Sequence, residues 1–135
     1  MSFQNLYAEE YFLTLRNDKV NLRLGPSFEY PIKLFYKKKF LPVLVQEKSE
    51  NFRKVRDHEN NTGWIHISQL SKKKAAIVID NNSYVYSSDT IYSRPIAISE
   101  AGKLLLIKRC KKKWCKVSAG GIKGWIKKET LWGLL

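Results

Sequence analysis

The sequence has few of the residues from which metal and catalytic sites are built. Its 135 residues contain two cysteines and two histidines. The histidines, His58 and His66, lie in the other half of the chain from Cys110 and Cys115, whereas a structural zinc site needs four such ligands together. No Ser-His-Asp arrangement is readable either. We therefore expect no catalytic centre, no metal and no cofactor.

Long apolar runs and helical periodicity are also absent. The longest apolar candidate is KLLLI at 103–107, which is far shorter than a membrane-spanning helix requires. No window repeats its apolar residues at helical spacing. Aromatic residues make up 13% of the chain, which is ample for a core, so global disorder is excluded. These features indicate a globular protein made of strands.

Acidic residues are scarce relative to basic ones. The chain has 12 aspartates and glutamates against 25 lysines and arginines, for a formal net charge of +13. Such a charge attracts polyanions, which include nucleic acid, anionic lipid and acidic cell-wall polymer. Three lysine triplets contribute to it, at 37–39, 72–74 and 111–113. Each triplet is either a solvated turn tip or part of a basic face beside aromatic residues.

The N-terminus lacks the basic and apolar segments of a signal peptide. Ala8 is followed by the polar pair Glu9 and Glu10, as at the end of a cleavage region. We predict that residues 1–11 are a leader remnant or a disordered tail.

The chain contains an internal repeat. FRKV at 52–55 aligns with WCKV at 114–117, and an apolar run ends seven residues before each, at Val45 and Ile107. Gly-Trp-Ile follows in both copies, and a leucine, Leu70 or Leu131, comes six residues after the tryptophan. Matching offsets on both sides of an aligned segment predict a duplicated unit.

Each copy reads as short strands separated by turns. Asn-Asn-Thr-Gly separates two strands in the first copy, Ala-Gly-Gly does so in the second, and SQL and KETL suggest single 3₁₀ turns. Five short strands and a tight turn predict a small closed barrel, because closure removes exposed sheet edges. We predict an all-β protein of two tandem barrels, over residues 12–73 and 74–135.

The repeat resembles a known family. VNLRLGPSFEYP at 20–31, followed by FRKV and TGWIHISQLS, is similar to the bacterial Src-homology-3-like domain. From Phe12 to Gly133 the chain resembles a two-copy, exported family of α-proteobacteria. The Asn-x-Arg-x-Gly-Pro signature of this family is matched in the first copy by Asn21, Arg23, Gly25 and Pro26. Its Cys-x4-Cys hairpin is matched in the second copy by Cys110 and Cys115, and its Leu-Trp-Gly ending by residues 131–133. The second copy has SYVYSSDT in place of the signature. The resemblance implies two small Src-homology-3-like β-barrels used for binding, often on cell-wall-associated proteins.

The two cysteines flank a predicted hairpin turn. If the turn is centred on Lys112 and Lys113, Cys110 faces Cys115 across neighbouring strands, close enough for a disulfide after small adjustment. In a three-residue turn Cys110 would face Trp114 instead, and the thiols would stay free. A redox pair more often has Cys-x-x-Cys before a helix. We predict the disulfide, which requires an oxidising compartment.

Seven residues are candidates for ligand binding, and five of them also have a structural interpretation. Trp114 and Phe52 occupy equivalent positions and either pack between the two units or offer a flat platform, while Trp64 and Trp125 either cover their barrels or contact ligand. Arg23 either joins a loop carboxylate such as Glu29 or Asp57, or binds a ligand carboxylate. The full set is Arg23, Tyr30, Tyr36, Phe52, Trp64, Trp114 and Trp125.

Three functions fit these features. The first is a non-catalytic, periplasmic or otherwise exported binding module of the cell envelope, which recognises cell-wall peptide or glycan, or an envelope protein. The second is a cytoplasmic nucleic-acid-binding protein, which the charge favours and the cysteine hairpin opposes. The third is a structural assembly module whose basic surface serves solubility.

Overall fold

The computed structural model describes residues 9–135 of the chain. Most of the predicted leader remnant, residues 1–8, lies outside the described residues. Tyr11 already belongs to the first strand and pairs with Val45.

Fourteen β-strands and two 3₁₀ turns make up the secondary structure of the described residues. The first sheet contains β1 (Tyr11–Leu15), β2 (Val20–Arg23), β3 (Ile32–Tyr36), β4 (Pro42–Ser49), β5 (Phe52–Arg56), β6 (Thr62–His66) and β7 (Leu70–Ser71). The second contains β8 (Ala75–Val78), β9 (Ser83–Tyr86), β10 (Pro95–Ser99), β11 (Leu104–Lys111), β12 (Trp114–Ala119), β13 (Ile122–Lys127) and β14 (Leu131–Trp132). The 3₁₀ turns span Ile67–Gln69 and Lys128–Thr130. The all-β prediction is confirmed, and residues 9–135 include no helix long and apolar enough to cross a membrane.

The two sheets have the same strand order. The first runs β3-β2-β6-β5-β4-β1-β7 and the second β10-β9-β13-β12-β11-β8-β14. Each strand of the second sheet is therefore equivalent to the strand of the first sheet whose number is lower by seven. This equivalence is what a duplicated unit predicts.

A β-bulge recurs at the same place in both sheets. The register between β4 and β5 shifts between Val45 and Glu47, and that between β11 and β12 shifts between Ile107 and Arg109. Val45 and Ile107 are the residues that the sequence repeat aligns. Because a bulge bends its strand and increases the local twist, both sheets curve at the same point around their apolar residues.

Each sheet surrounds its own apolar core. Buried side chains alternate with half-buried ones along the strands, as in Val20 and Leu22 of β2 and Cys115 and Val117 of β12. Full burial of each valine, leucine or isoleucine contributes about 1.5–3 kcal/mol relative to an exposed side chain. The central members of the first core are Val43, Val45, Val55 and Ile65, and those of the second are Ile107, Cys115, Val117 and Ile126.

Strand β8 joins the two cores. All four of its residues are buried, with Ala76 and Val78 in the second core and Ile77 in the first. A strand whose successive side chains enter different cores has no face left for solvent. The two units are therefore packed directly against each other along this strand.

The Leu-Trp-Gly ending completes the junction. The ring of Trp132 meets that of Phe12 edge to face, with centroids 4.9 Å apart. A Cβ at Gly133 would lie 2.9 Å from the Ala75 carbonyl oxygen and 2.9 Å from Pro42 Cβ. The alternative that Trp114 packs between the units is wrong: Trp114 packs against Tyr86 of its own sheet, and Trp132 makes the contact with the first unit.

The glycine of each Gly-Trp-Ile segment allows two backbones to approach closely. A Cβ at Gly63 would lie 2.8 Å from the Arg23 carbonyl oxygen, and one at Gly124 would lie 2.7 Å from that of Tyr86. Glycine inside a strand often marks such a close approach of two backbones. The approach pairs β6 with β2 and β13 with β9.

The β11–β12 hairpin has the register that the disulfide prediction required. Lys111 pairs with Trp114 and Cys110 pairs with Cys115, around a turn in which Lys112 has a positive φ of 53°. The Sγ atoms of Cys110 and Cys115 are bonded, so the predicted disulfide is present.

Substitution of Gly124 by alanine should destabilise the second unit. The added methyl group would displace the β9 backbone, and such overpacking costs about 1–3 kcal/mol. Urea unfolding followed by tryptophan fluorescence measures the change. The control is Lys123→Ala, an exposed neighbour on the same strand, which should leave stability nearly unchanged. Equal stability of both variants would contradict the crowded contact.

Reduction of the disulfide should lower the free energy of unfolding by about 2 kcal/mol, because it frees a short loop in the unfolded chain. Urea unfolding with and without a thiol reductant measures this loss without opening a cavity at Cys115. The variant Cys110→Ser should be insensitive to the reductant. A wild-type midpoint that does not move on reduction would contradict a stabilising bridge.

Candidate ligand-binding surfaces

The Asn-x-Arg-x-Gly-Pro segment holds the loop between β2 and β3. Arg23 Nη1 donates to the carbonyl oxygens of Phe28, at 3.1 Å, and Tyr30, at 3.0 Å. A Cβ at Gly25 would overlap the Tyr30 ring, so glycine lets that ring close over the backbone. The expected bond from Arg23 to a carboxylate of Glu29 or Asp57 is wrong, since main-chain oxygens accept instead. The signature residues shape this loop.

The loop places an exposed aromatic ring against the hairpin of the first sheet. The Phe28 ring is 64% exposed and lies 5.2 Å from the Phe52 ring and 5.0 Å from the His66 ring, between centroids. The Arg23 guanidinium lies 5.3 Å above the Phe28 ring, within cation–π distance. We call Arg23, Phe28, Phe52 and His66 the first aromatic site.

Equivalent positions in the second sheet form a matching surface. Phe52 pairs with His66 in the first sheet as Trp114 pairs with Lys127 in the second. Arg23 of β2 pairs with Trp64 of β6 in the first sheet, and Tyr86 of β9 pairs with Trp125 of β13 in the second. The corresponding loop carries Ile91, which is 51% exposed. We call the four residues Tyr86, Ile91, Trp114 and Lys127 the second aromatic site.

The second site opens into a larger cleft than the first, where Arg23, Phe28 and His66 line a cleft of about 280 Å³. The half-buried Trp114 meets Tyr86 edge to face at 5.6 Å, and beside it lies a cleft of about 740 Å³. Lys112, Lys113, Lys127 and Lys128 line the cleft together with Glu129 and with Asp89, which is paired with Lys111. A flat indole in a cleft where lysines outnumber carboxylates suits a ligand with an apolar or sugar surface and a carboxylate.

An ion pair anchors the loop beside this cleft. Lys111 Nζ lies 2.9 Å from Asp89 Oδ2, and this hydrogen bond holds the pKa of Asp89 below its usual value. Arg109 and Lys111 also lie above the Trp125 ring, at 5.5 and 5.9 Å from its centroid. Trp125 is only 8% exposed, so the cations cover it on the solvent side.

Tyr36 lies away from both aromatic sites and anchors a turn. Its hydroxyl donates to Asp57 Oδ2 at 2.8 Å, and burial together with this bond raises the pKa of Tyr36 well above its usual range. Asp57 also accepts from Asn61 and from the Glu59 amide. Burial alone would raise the pKa of Asp57, but these hydrogen bonds together lower it.

The predicted site residues are thus partly assembled. Arg23 and Phe52 meet in the first site and Trp114 lies in the second, whereas Tyr30 packs on its loop. Trp64 is half-buried beside Arg23. Five residues of the two sites were not predicted from the sequence: Phe28, His66, Tyr86, Ile91 and Lys127. The repeat places His66 and Lys127 at the same offset from the tryptophan of Gly-Trp-Ile, and Ile91 follows Tyr86 at the same distance as Phe28 follows Arg23.

Substitution of Asp57 by asparagine should cost about 2 kcal/mol at neutral pH, because charge-assisted hydrogen bonds are lost. The pKa of Asp57 is lower in the folded protein than in the unfolded chain, where an aspartate has a pKa of about 4. The carboxylate therefore stabilises the fold above that pH, and this stabilisation is lost as the pH falls through the folded-state pKa. The difference between wild type and variant in urea unfolding should therefore shrink in acid. Asp18→Asn, at an exposed carboxylate, is the control. A difference that is independent of pH would contradict the role of the charge.

Comparison with known proteins identifies the family. A family model described as bacterial SH3 domain matches residues 16–72 and 88–133. A search of curated proteins gave no match. Among solved structures, NlpC2 from Trichomonas vaginalis is 15% identical with a TM-score of 0.42, over 97% of this chain and 49% of that one. NlpC1 from the same organism is 14% identical with a TM-score of 0.41, over 95% and 47%.

The chain spans about half the length of these solved structures. The two segments matched by the family model fall one in each sheet and together cover more than half of the chain. The protein belongs to the bacterial SH3 domain family, and its two sheets are tandem Src-homology-3-like barrels.

Proposed function

We propose that this protein is a non-catalytic binding module of the bacterial cell envelope. Its two units, residues 12–73 and 74–135, would recognise cell-wall peptide or glycan, or an envelope protein. The observation that carries the proposal is the recurrence of one surface, built on the same four strand and loop positions of each sheet. Bacterial SH3 domains are binding domains, which supports a role without catalysis.

The chemistry of the second aromatic site favours a wall ligand. Trp114 offers a half-buried indole, on which a sugar ring or an apolar peptide side chain can lie. Lys112, Lys113 and Lys127 stand around it and would pair with ligand carboxylates. In the first aromatic site, Phe28 and Arg23 would supply the equivalent aromatic and cationic contacts.

The disulfide supports an exported location. Bridges such as Cys110–Cys115 persist in oxidising compartments, which include the periplasm, and are rare in the cytosol. A cell-envelope ligand is accessible from the same compartment.

A second candidate function is nucleic-acid binding in the cytoplasm. The net charge of +13 favours it, as does Phe35, an exposed ring with Lys19 and Lys37 at 4.9 and 5.6 Å from its centroid. Binding of this kind depends on counterion release and therefore falls steeply with added salt.

Replacement of Trp114 by alanine should weaken binding to purified peptidoglycan about tenfold, since aromatic anchors carry most of the energy of such contacts. Cosedimentation at physiological salt measures this loss for Trp114→Ala and for Phe28→Ala. Tyr92→Ala is the matched control, because Tyr92 is 91% exposed next to Ile91 and lies outside the cleft. Thermal melting establishes that the variants are folded.

Single-stranded DNA at the same salt concentration distinguishes the two candidates. Tighter binding to DNA than to peptidoglycan, with equal affinity of Trp114→Ala and wild type, would contradict an envelope ligand at the aromatic sites. Loss of peptidoglycan binding in Tyr92→Ala to the same degree as in Trp114→Ala would contradict the assignment of the cleft.

A further inference from the structure

A second cleft lies at the junction of the two units, away from the aromatic rings. Its volume is about 510 Å³, and both sheets and the segment between them contribute to its lining. Its apolar part comes from Phe12 and Leu13 of β1 and from Leu134 after β14. All three side chains are half-buried, so part of each faces the cleft or solvent.

Cations line the rest of this junction cleft. Lys72, Lys73 and Lys74 connect β7 to β8 and are exposed, and Arg109 of β11 is exposed as well. Lys128 also lines it, but its Nζ already donates to the Leu135 carbonyl oxygen at 3.3 Å. No aspartate or glutamate lines the cleft within residues 9–135, and residues 1–8 include none.

The four exposed cations have no anionic partner within the described part of the chain. The ion pairs there join Lys54 to Glu47 and Lys111 to Asp89. Unneutralised charges around one concave, partly apolar surface raise the local positive potential. Three ammonium groups and a guanidinium suit a multiply charged oxyanion, which accepts several charge-assisted hydrogen bonds.

We propose that the junction cleft binds a phosphate-bearing amphiphile. The phosphate lies among Lys72, Lys73, Lys74 and Arg109, and the apolar portion lies against Phe12 and Leu134. The ligand is either the headgroup region of an anionic phospholipid or a soluble phosphorylated apolar molecule, since both present the same chemistry. The cleft is separate from the aromatic sites, and a ligand in it would contact both units.

The test compares two lysine triplets of equal charge. Dihexanoylphosphatidic acid, below its micelle concentration, is titrated into the full chain at physiological salt and followed by calorimetry. The triple variant K72A/K73A/K74A should bind at least about tenfold more weakly than wild type, whereas K37A/K38A/K39A should bind like wild type. Equal weakening in both, or no binding to wild type, would overturn the proposal, because net charge alone would then explain any affinity.

Two further measurements test the apolar half and the source of the ligand. Inorganic phosphate should bind at least about tenfold more weakly than the short-chain lipid, and Leu134→Ser should weaken only the lipid. Equal affinity for both probes would overturn the amphiphile. Vesicles of phosphatidylcholine with phosphatidic acid assign the source: binding that depends on the triplet 72–74 indicates a membrane lipid, and no binding indicates a soluble ligand.

Discussion

Each unit depends on one crowded contact between two backbones. At Gly63 and Gly124 a strand passes so close to its neighbour that a single added carbon would meet a carbonyl oxygen, at 2.8 and 2.7 Å. This contact pairs Trp64 with Arg23 and Trp125 with Tyr86, and so brings the β2–β3 and β9–β10 loops beside the hairpins. Without that approach the loop side chains and the hairpin aromatics would belong to separate surfaces.

Both units contain this backbone contact, but they differ in the side chains on the surface above it. The first uses an arginine to hold its loop and covers its aromatic site with a phenylalanine. The second has a tyrosine at the position of Arg23, secures its loop through Lys111 and Asp89, and leaves a cleft beside Trp114. Likewise Asp57 and Tyr36 anchor a turn in the first unit by hydrogen bonds, whereas in the second unit a disulfide secures the hairpin. The same strand arrangement thus supports two surfaces of different chemistry.

Much of the fold could be predicted because its signals are local. The pairing of Cys110 with Cys115 was one of two registers that the turn length allowed, and the bulges recur where the repeat aligns Val45 with Ile107. The contact partners of long side chains could not be predicted in this way. A strand pattern indicates the face of the sheet on which a residue lies, but not which loop packs against it. Arg23, for which both alternatives named a carboxylate, donates to two carbonyl oxygens. Of the two alternatives for Trp114, packing between the units is the one that Trp132 fulfils instead.

The sequence by itself determined the strand class and the duplication and left two registers for the cysteine hairpin, because period, turn length and matching offsets act over a few residues. Only the tertiary structure decided that β8 inserts into both cores, that Phe28 covers Phe52, and that Lys72–Lys74 share a cleft with Arg109. Those groupings join residues far apart in the chain, and packing of the two cores, not local preference, brings them together.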